Sequence, residues 1–337
     1  MLSTEPEQVQ EEEVAIPEEL NRPLIIKTRN LTKVFAGETA VNAIDLDVPE
    51  GCIFGFIGPS GSGKTTTVRL LMGLYEPDDG EVSVMGQRPD HFSRQDRERL
   101  GYLPQLFVLY PELTVWENMN FAASLYGVSF WRTKLLNQLL DLVELREDKH
   151  KLVRDISGGM QRRLSLAATL IHDPELVFLD EPTAGIDPIL RKKFWDYFKQ
   201  LQTKGHTLFI TTQYVGEAAY CDFVGVMSEG KLLSVNTPED LRREAYGGDI
   251  IKLGSTDRLD YNFREEVRNL PDLKSQILNA TDYELQLLVG DAATATPYLV
   301  EYFRDRHKGV NSVEHFLPSF DDVFVKLIEK HRNSDNG

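Results

Sequence analysis

Cysteine is scarce in this chain, and long apolar runs are missing. Cys52 and Cys221 are the only two cysteines in 337 residues, far apart and in no metal-ligand spacing. They read as small buried hydrophobes in a reducing cytosol. No stretch approaches the roughly 18 apolar residues that a transmembrane helix needs. The opening MLSTEPEQVQEEEVAIPEEL has no basic n-region and no apolar h-region, so it is not expected to act as a secretory signal. Positive charge is short as well: 37 Lys and Arg stand against 53 Asp and Glu, a net charge of −16. A nucleic-acid binder would usually carry a basic face, and this balance argues against that class. Tandem repeats and coiled-coil heptads are also missing.

What is present suffices for a real core: 41% of the residues are hydrophobic, and the length suggests two domains. Residues 1–23 are expected to form an acidic, disordered tail, with seven Glu and only Arg22 as a basic residue over 1–22. From about residue 24, PLIIKTRNLTKVF and AVNAIDLDVPEG alternate like half-exposed strands. CIFGFIG, ELVFLDEP and HTLFITTQ are nearly continuous apolar runs, as in strands buried on both faces. Helical spacing predicts helices over about 116–126, 131–144, 158–172, 188–204 and 215–221. Strands alternating with helices predict an α/β fold with a parallel sheet covered on both faces. The composition shifts at AYGGD (245–249). Beyond it the predicted order βαββαβα suggests a small ferredoxin-like α+β domain over 249–331, followed by a frayed end at 332–337.

GPSGSGKTT matches G-x-x-x-x-G-K-[ST]: Gly58, Pro59, Ser60, Gly61, Ser62, Gly63, Lys64, Thr65 and Thr66, between a buried strand and a helix. Glycines let backbone N–H groups approach phosphate oxygens, and the helix N-terminus points its positive end at the same anion. Lys64 adds a full charge at the β- and γ-phosphates, and the Thr65 hydroxyl is suited to ligate Mg²⁺. LVFLDE ends its strand with Asp180 and Glu181, where parallel sheets place ligands. Asp180 would face the metal beside Thr65, and Glu181 would orient or deprotonate an attacking water. In DISGGMQRR, Ser157, Gly158 and Gly159 open another helix with a hydroxyl and bare backbone, a second phosphate site. One chain does not need two such sites for one triphosphate, but a head-to-tail pair of chains does.

These motifs, in this order, resemble the ATPase subunit of ABC transporters over about residues 24–245. The resemblance identifies GPSGSGKTT as Walker A, LVFLDE as Walker B with Glu181 as the catalytic carboxylate, and ISGGMQ as the signature. It implies a P-loop NTPase with a RecA-like core, an antiparallel β subdomain and a helical subdomain at about 106–172. It makes Gln105 in YLPQ a Mg²⁺ and water contact that senses the membrane partner. It makes Phe35 in TKVF an aromatic that stacks on adenine, although a core Phe is the plainer alternative. Asp187 in AGIDP becomes part of a loop that crosses to the partner subunit. ITTQYVGEAAYCDF and PSFDDVFVKL are similar to the ABC-2 export ATPases of the daunorubicin-resistance type. That implies ATP and Mg²⁺ as ligands, a homodimer, a separately encoded membrane permease and a place on the cytoplasmic face of the membrane. The apolar LFVLYPELTVWENM (106–119), with Tyr110, Leu113 and Trp116, is either core or a surface that receives a permease helix.

Gln213 departs from the usual pattern, because it stands where most such ATPases carry a histidine. Its amide donates and accepts hydrogen bonds but exchanges no proton near neutral pH. The expected role is therefore to position the γ-phosphate, with Glu181 as the base. An ABC-type ATPase acting on nucleic acid or ribosomes is the rival reading. Only 93 positions separate Lys64 from Ser157, too few for an inserted long coiled coil, and only one nucleotide domain is present.

Overall fold

The computed structural model describes residues 22–106, 108–270 and 276–335. The expected acidic tail, apart from Arg22 and Pro23, lies outside the described residues. In chain order the elements are β1 (Leu24–Phe35), β2 (Glu38–Pro49), β3 (Ile53–Ile57), α1 (Lys64–Leu71), β4 (Asp79–Val84), α2 (Arg94–Glu98), β5 (Leu100–Leu103), α3 (Val115–Leu125), α4 (Thr133–Leu142), α5 (Gly158–Thr169), β6 (Leu176–Asp180), α6 (Pro188–Thr203) and β7 (Thr207–Thr212). They continue with β8 (Phe223–Ser228), β9 (Lys231–Asn236), α7 (Pro238–Tyr246), β10 (Asp249–Ser255), α8 (Tyr261–Arg268), β11 (Gln276–Ala280), β12 (Glu284–Val289), α9 (Ala292–Asp305), β13 (Val310–Phe316) and α10 (Phe320–Asp335). The helix expected over 215–221 is a 3₁₀ helix, Val215–Tyr220.

The chain packs into two compact units. The first runs to Thr211 and resumes over Phe223–Asn236. It holds a three-stranded antiparallel sheet, β2-β1-β4, and a six-stranded sheet, β5-β6-β7-β3-β8-β9. In the larger sheet β5 and β6, β6 and β7, and β3 and β8 pair in parallel, while β9 closes the edge antiparallel to β8. Every residue of β3, β6 and β7 is buried, which explains their unbroken apolar sequences. Phe209 sits at their centre, with ring centroids 5.2 Å from Phe54, 5.3 Å from Phe56 and 5.6 Å from Phe178. Each such buried ring contributes about 1.5–3 kcal/mol relative to leaving it in water.

Helices α3 and α5 start where the sequence supplies a hydroxyl cap. Thr114 and Glu117 form a reciprocal capping box at α3, and Ser157 caps α5. The buried Asn118 ties the preceding segment down, since its amide bonds both the N–H and the carbonyl of Tyr110 at 2.9 and 3.0 Å. In the 106–119 stretch Tyr110 stays exposed, edge-on to Phe121, and Leu113 and Trp116 are half-buried.

The second unit comprises Thr212–Asp222 and the chain from Thr237 onward. Its sheet has the order β11-β12-β10-β13, with every neighbouring pair antiparallel. The path βαββαβ therefore places the first strand between the third and the fourth. Phe263, Leu299 and Phe303 pack against Leu253, Leu285 and Leu287 of this sheet. α10 packs on α7 and on the 3₁₀ turn Val215–Tyr220. Packing thus groups α7 with this unit, although the composition shift falls after it. α10 also continues through Asp335, past the frayed end expected from Arg332.

Candidate active site

The loop from Gly58 to Gly63 leaves the buried β3 and delivers the chain to α1. Gly61 and Gly63 have φ of +80° and +102°, the left-handed region that side chains disfavour. A Cβ on Gly58 would lie 2.2 Å from the Met227 carbonyl oxygen, and one on Gly63 would lie 2.2 Å from that of Ala40. Glycine is therefore demanded by the backbone itself. Pro59, Ser60 and Gly61 are exposed at the mouth, Ser62 is buried, and Thr66 is half-buried in the first turn of α1.

Lys64 is 5% exposed, and its ammonium donates to the carbonyls of Gly58 and Pro59 at 2.8 Å each. Burial lowers its pKa, and the charges of Glu181 and Asp180 oppose that shift. Among the described residues no carboxylate lies within ion-pair distance of it. A buried cation, held only by carbonyls and a distant Ser62 hydroxyl, marks a cradle built for an external anion.

Asp180 ends β6 almost fully buried, at 1% exposure. The Thr65 hydroxyl donates to its Oδ2 at 2.9 Å, and the Thr211 hydroxyl makes a short bond to its Oδ1. Glu181 follows at φ +53°, a conformation that costs a non-glycine residue about 1–2 kcal/mol. Two contacts hold it there. Its N–H is shared between the Thr211 carbonyl at 3.0 Å and the Thr211 hydroxyl at 3.2 Å. Arg162 of α5 donates through Nη2 to the carbonyl of Asp180 at 2.8 Å and also to that of Glu181.

Arg162 and Thr211 escape motif reading. The usable signal for Arg162 is a cation on a buried face, one turn before Leu166 and two before Thr169. Thr211 gives no signal beyond its place at the end of an apolar strand.

The remaining predicted residues lie as follows. Ser157 accepts from the Met160 N–H at 3.3 Å as the cap of α5. Gly158 and Gly159 are exposed, and a Cβ on either would meet nothing within 4 Å. Asp187 caps α6, accepting from Ile189 and Leu190 at 3.1 Å each. Phe35, at the end of β1, is 40% exposed, and the Tyr75 ring approaches it edge-on at 5.4 Å. The Lys33 ammonium lies over the same ring, 5.5 Å from its centroid, so Phe35 is a partly exposed residue and not a core Phe. Gln105 is exposed in the loop after β5, and no hydrogen bond joins it to Thr65 or Asp180. Gln213 belongs to the second unit, exposed and directly after β7.

Comparison with known proteins shows the family. A family model described as ABC transporter matches residues 41–184. Nod factor export ATP-binding protein I of Cupriavidus metallidurans is 32% identical over 305 residues, 90% of this chain and 97% of that protein. The probable multidrug ABC transporter ATP-binding protein YbhF of Escherichia coli is 36% identical over 222 residues, 66% of this chain; the chain spans 38% of that protein's length. A solved structure of an ATP binding subunit of ABC transporter aligns with a TM-score of 0.61 at 26% identity, covering 65% of this chain and 92% of that one. The chain belongs to the ATP-binding proteins of ABC transporters.

Proposed function

We propose that two copies of this chain close head to tail around two ATP molecules, hydrolyse them, and so drive export through a separately encoded membrane permease. The single observation that carries the reading is the pairing of two unlike helix N-termini in one chain. The first, α1, comes with a buried lysine that has no carboxylate within ion-pair distance among the described residues. The second, α5, opens on glycines whose own chain leaves their surroundings empty. A requirement for bare backbone at Gly158 and Gly159 then arises from outside the chain, at the nucleotide held by the other copy.

Within one copy, Lys64 and the loop N–H groups bind the β- and γ-phosphates, and the partly exposed ring of Phe35 stacks on adenine. The Thr65 hydroxyl and the Asp180 carboxylate offer hard oxygen ligands. The two meet at 2.9 Å, and no cluster of three metal-ligating His, Cys, Asp or Glu occurs among the described residues. That set suits Mg²⁺, which keeps waters and substrate phosphates in its shell. Gln105 is the third residue proposed to reach it. When bound, Mg²⁺ neutralises charge on the phosphate oxygens.

Glu181, held by Arg162 and Thr211, accepts the proton of the attacking water. Gln213 positions the γ-phosphate, and the Asp187 loop lies against the second copy. ATP makes its cross-copy contacts only in the closed pair, the condition for shifting a conformational equilibrium. Export is supported by the similarity to the Nod factor export ATP-binding protein. No helix among the described residues is long and apolar enough to cross a membrane. In this reading the pathway belongs to the permease, and the chain works at its cytoplasmic face. Light scattering with ATP tests the central step: the wild-type chain should pair, whereas Ser157→Arg should bind ATP yet stay single. Pairing by Ser157→Arg would refute the head-to-tail site.

A further inference from the structure

The loop joining α3 to α4 has no part in nucleotide binding, yet it carries the two most exposed large hydrophobics among the described residues. Phe130 is 93% and Trp131 95% exposed. They do not project from a slack loop. The next residue, Arg132, turns back into the fold and anchors it. Its Nε donates to Asn120 Oδ1 at 3.1 Å, its Nη1 to the Val128 carbonyl at 3.0 Å, and its Nη2 to the Asn120 carbonyl at 3.0 Å and the Ser124 hydroxyl at 2.7 Å. The guanidinium also lies 5.9 Å from the Phe130 ring centroid. Four hydrogen bonds therefore hold a short turn whose apolar tip meets only solvent.

The charge around this tip is unusual for the chain. Acidic residues number 53 in 337, yet residues 118–140 contain none, and their only charges are Arg132 and Lys134. Neither cation is ion-paired among the described residues. A fully exposed aromatic pair, beside two cations with no carboxylate partner among the described residues, fits a bilayer interface. Trp and Phe rings settle at the headgroup level there, and anionic headgroups attract the cations. A protein partner would more often be met by a concave groove with a polar rim of both signs.

We propose that Phe130 and Trp131, with Arg132 and Lys134 behind them, insert into the interface of an anionic lipid bilayer. A single copy makes this contact without nucleotide, separately from its contact with the permease. A single tip gives weak attachment, and two tips in a paired molecule strengthen it by avidity.

The test uses the full chain alone, with no membrane protein present. Vesicles of phosphatidylglycerol and phosphatidylcholine should sediment the protein, and should do so about tenfold better than phosphatidylcholine alone. Lipids brominated in the upper acyl chain should quench Trp131 fluorescence. Trp195 is 2% exposed and Trp116 half-buried, so the quenched signal is assigned by its loss in a Trp131 variant. Phe130→Ser with Trp131→Ser should lose binding about tenfold or more while ATPase activity stays at the wild-type level. Trp131→Phe should keep binding and lose the quenching. Equal sedimentation of wild type and the double variant would overturn the proposal, as would equal binding to neutral and anionic vesicles. If wild type ignored all vesicles while the double variant lost only its association with permease-containing membranes, the surface would belong to a protein partner and the lipid proposal would fall.

Discussion

Arg162 and Glu181 lie 19 positions apart, on α5 and just after β6, and a guanidinium N–H of the first bonds the backbone carbonyl of the second. The same Nη2 also bonds the carbonyl of Asp180 at 2.8 Å. One buried side chain therefore fixes both acids at the strand end from the helix that Ser157 opens. Arg162→Met should leave those two carbonyls without their donor, costing about 1–3 kcal/mol. We expect Tm to fall by several degrees and turnover to drop about tenfold or more, with ATP affinity little changed. Differential scanning fluorimetry and steady-state kinetics separate the two effects.

The Thr65–Asp180 pair makes a different prediction. Thr65→Val keeps the volume and removes the hydroxyl that bonds Asp180 at 2.9 Å. Nucleotide binding should survive, because the loop N–H groups and Lys64 remain. The gain in affinity on adding Mg²⁺ should shrink about ten- to a hundredfold. Titrations with and without EDTA measure it.

Lys64 predicts a pH dependence in the nucleotide-free protein. Burial lowers its folded pKa below the ordinary lysine value of 10.5. Between the lowered value and 10.5 the unfolded chain binds more protons than the folded one, so stability from this group rises with pH across that window. Below it, the charged buried lysine is a constant cost. Lys64→Met should therefore raise Tm at neutral pH without nucleotide, and should flatten the alkaline rise relative to wild type. A lower Tm for the variant, with an unchanged pH slope, would remove burial as the cause.

Gly158 separates folding from function. A Cβ there meets nothing in its own chain, and Gly is roughly 0.5–1 kcal/mol worse than Ala within a helix. Gly158→Ala should melt at the same temperature as wild type or higher. ATP-driven pairing, read by light scattering, should nonetheless weaken.

Much of the first unit was legible because its signals are local. Strands β3, β6 and β7 announce themselves as apolar runs, and GPSGSGKTT, LVFLDE and SGGM each fall at a helix start or strand end. β5 gives little signal because LGYL is only four residues long, and β4, β8 and β9 because glycine or serine interrupts their short apolar runs. The helix over 215–221 closes as a 3₁₀ turn, where Thr212 donates to the buried Glu217 carboxylate at 2.7 Å. Arg162 was invisible because its value is tertiary: nothing in QRRLSLAAT says which arginine turns inward. Arg163, beside it, instead reaches the Val143 carbonyl at 2.8 Å.

The most direct test of the central claim pairs Glu181→Gln with Gln213→His. The first keeps the shape and the left-handed backbone contacts of Glu181 but accepts no proton. The second restores a titratable ring where a positioning amide is proposed. In single-turnover ATP hydrolysis with light scattering, Glu181→Gln should pair in ATP and stay paired, with turnover down about a thousandfold. Gln213→His should cycle at a rate within about tenfold of wild type. Sustained turnover by Glu181→Gln together with a dead Gln213→His would contradict it.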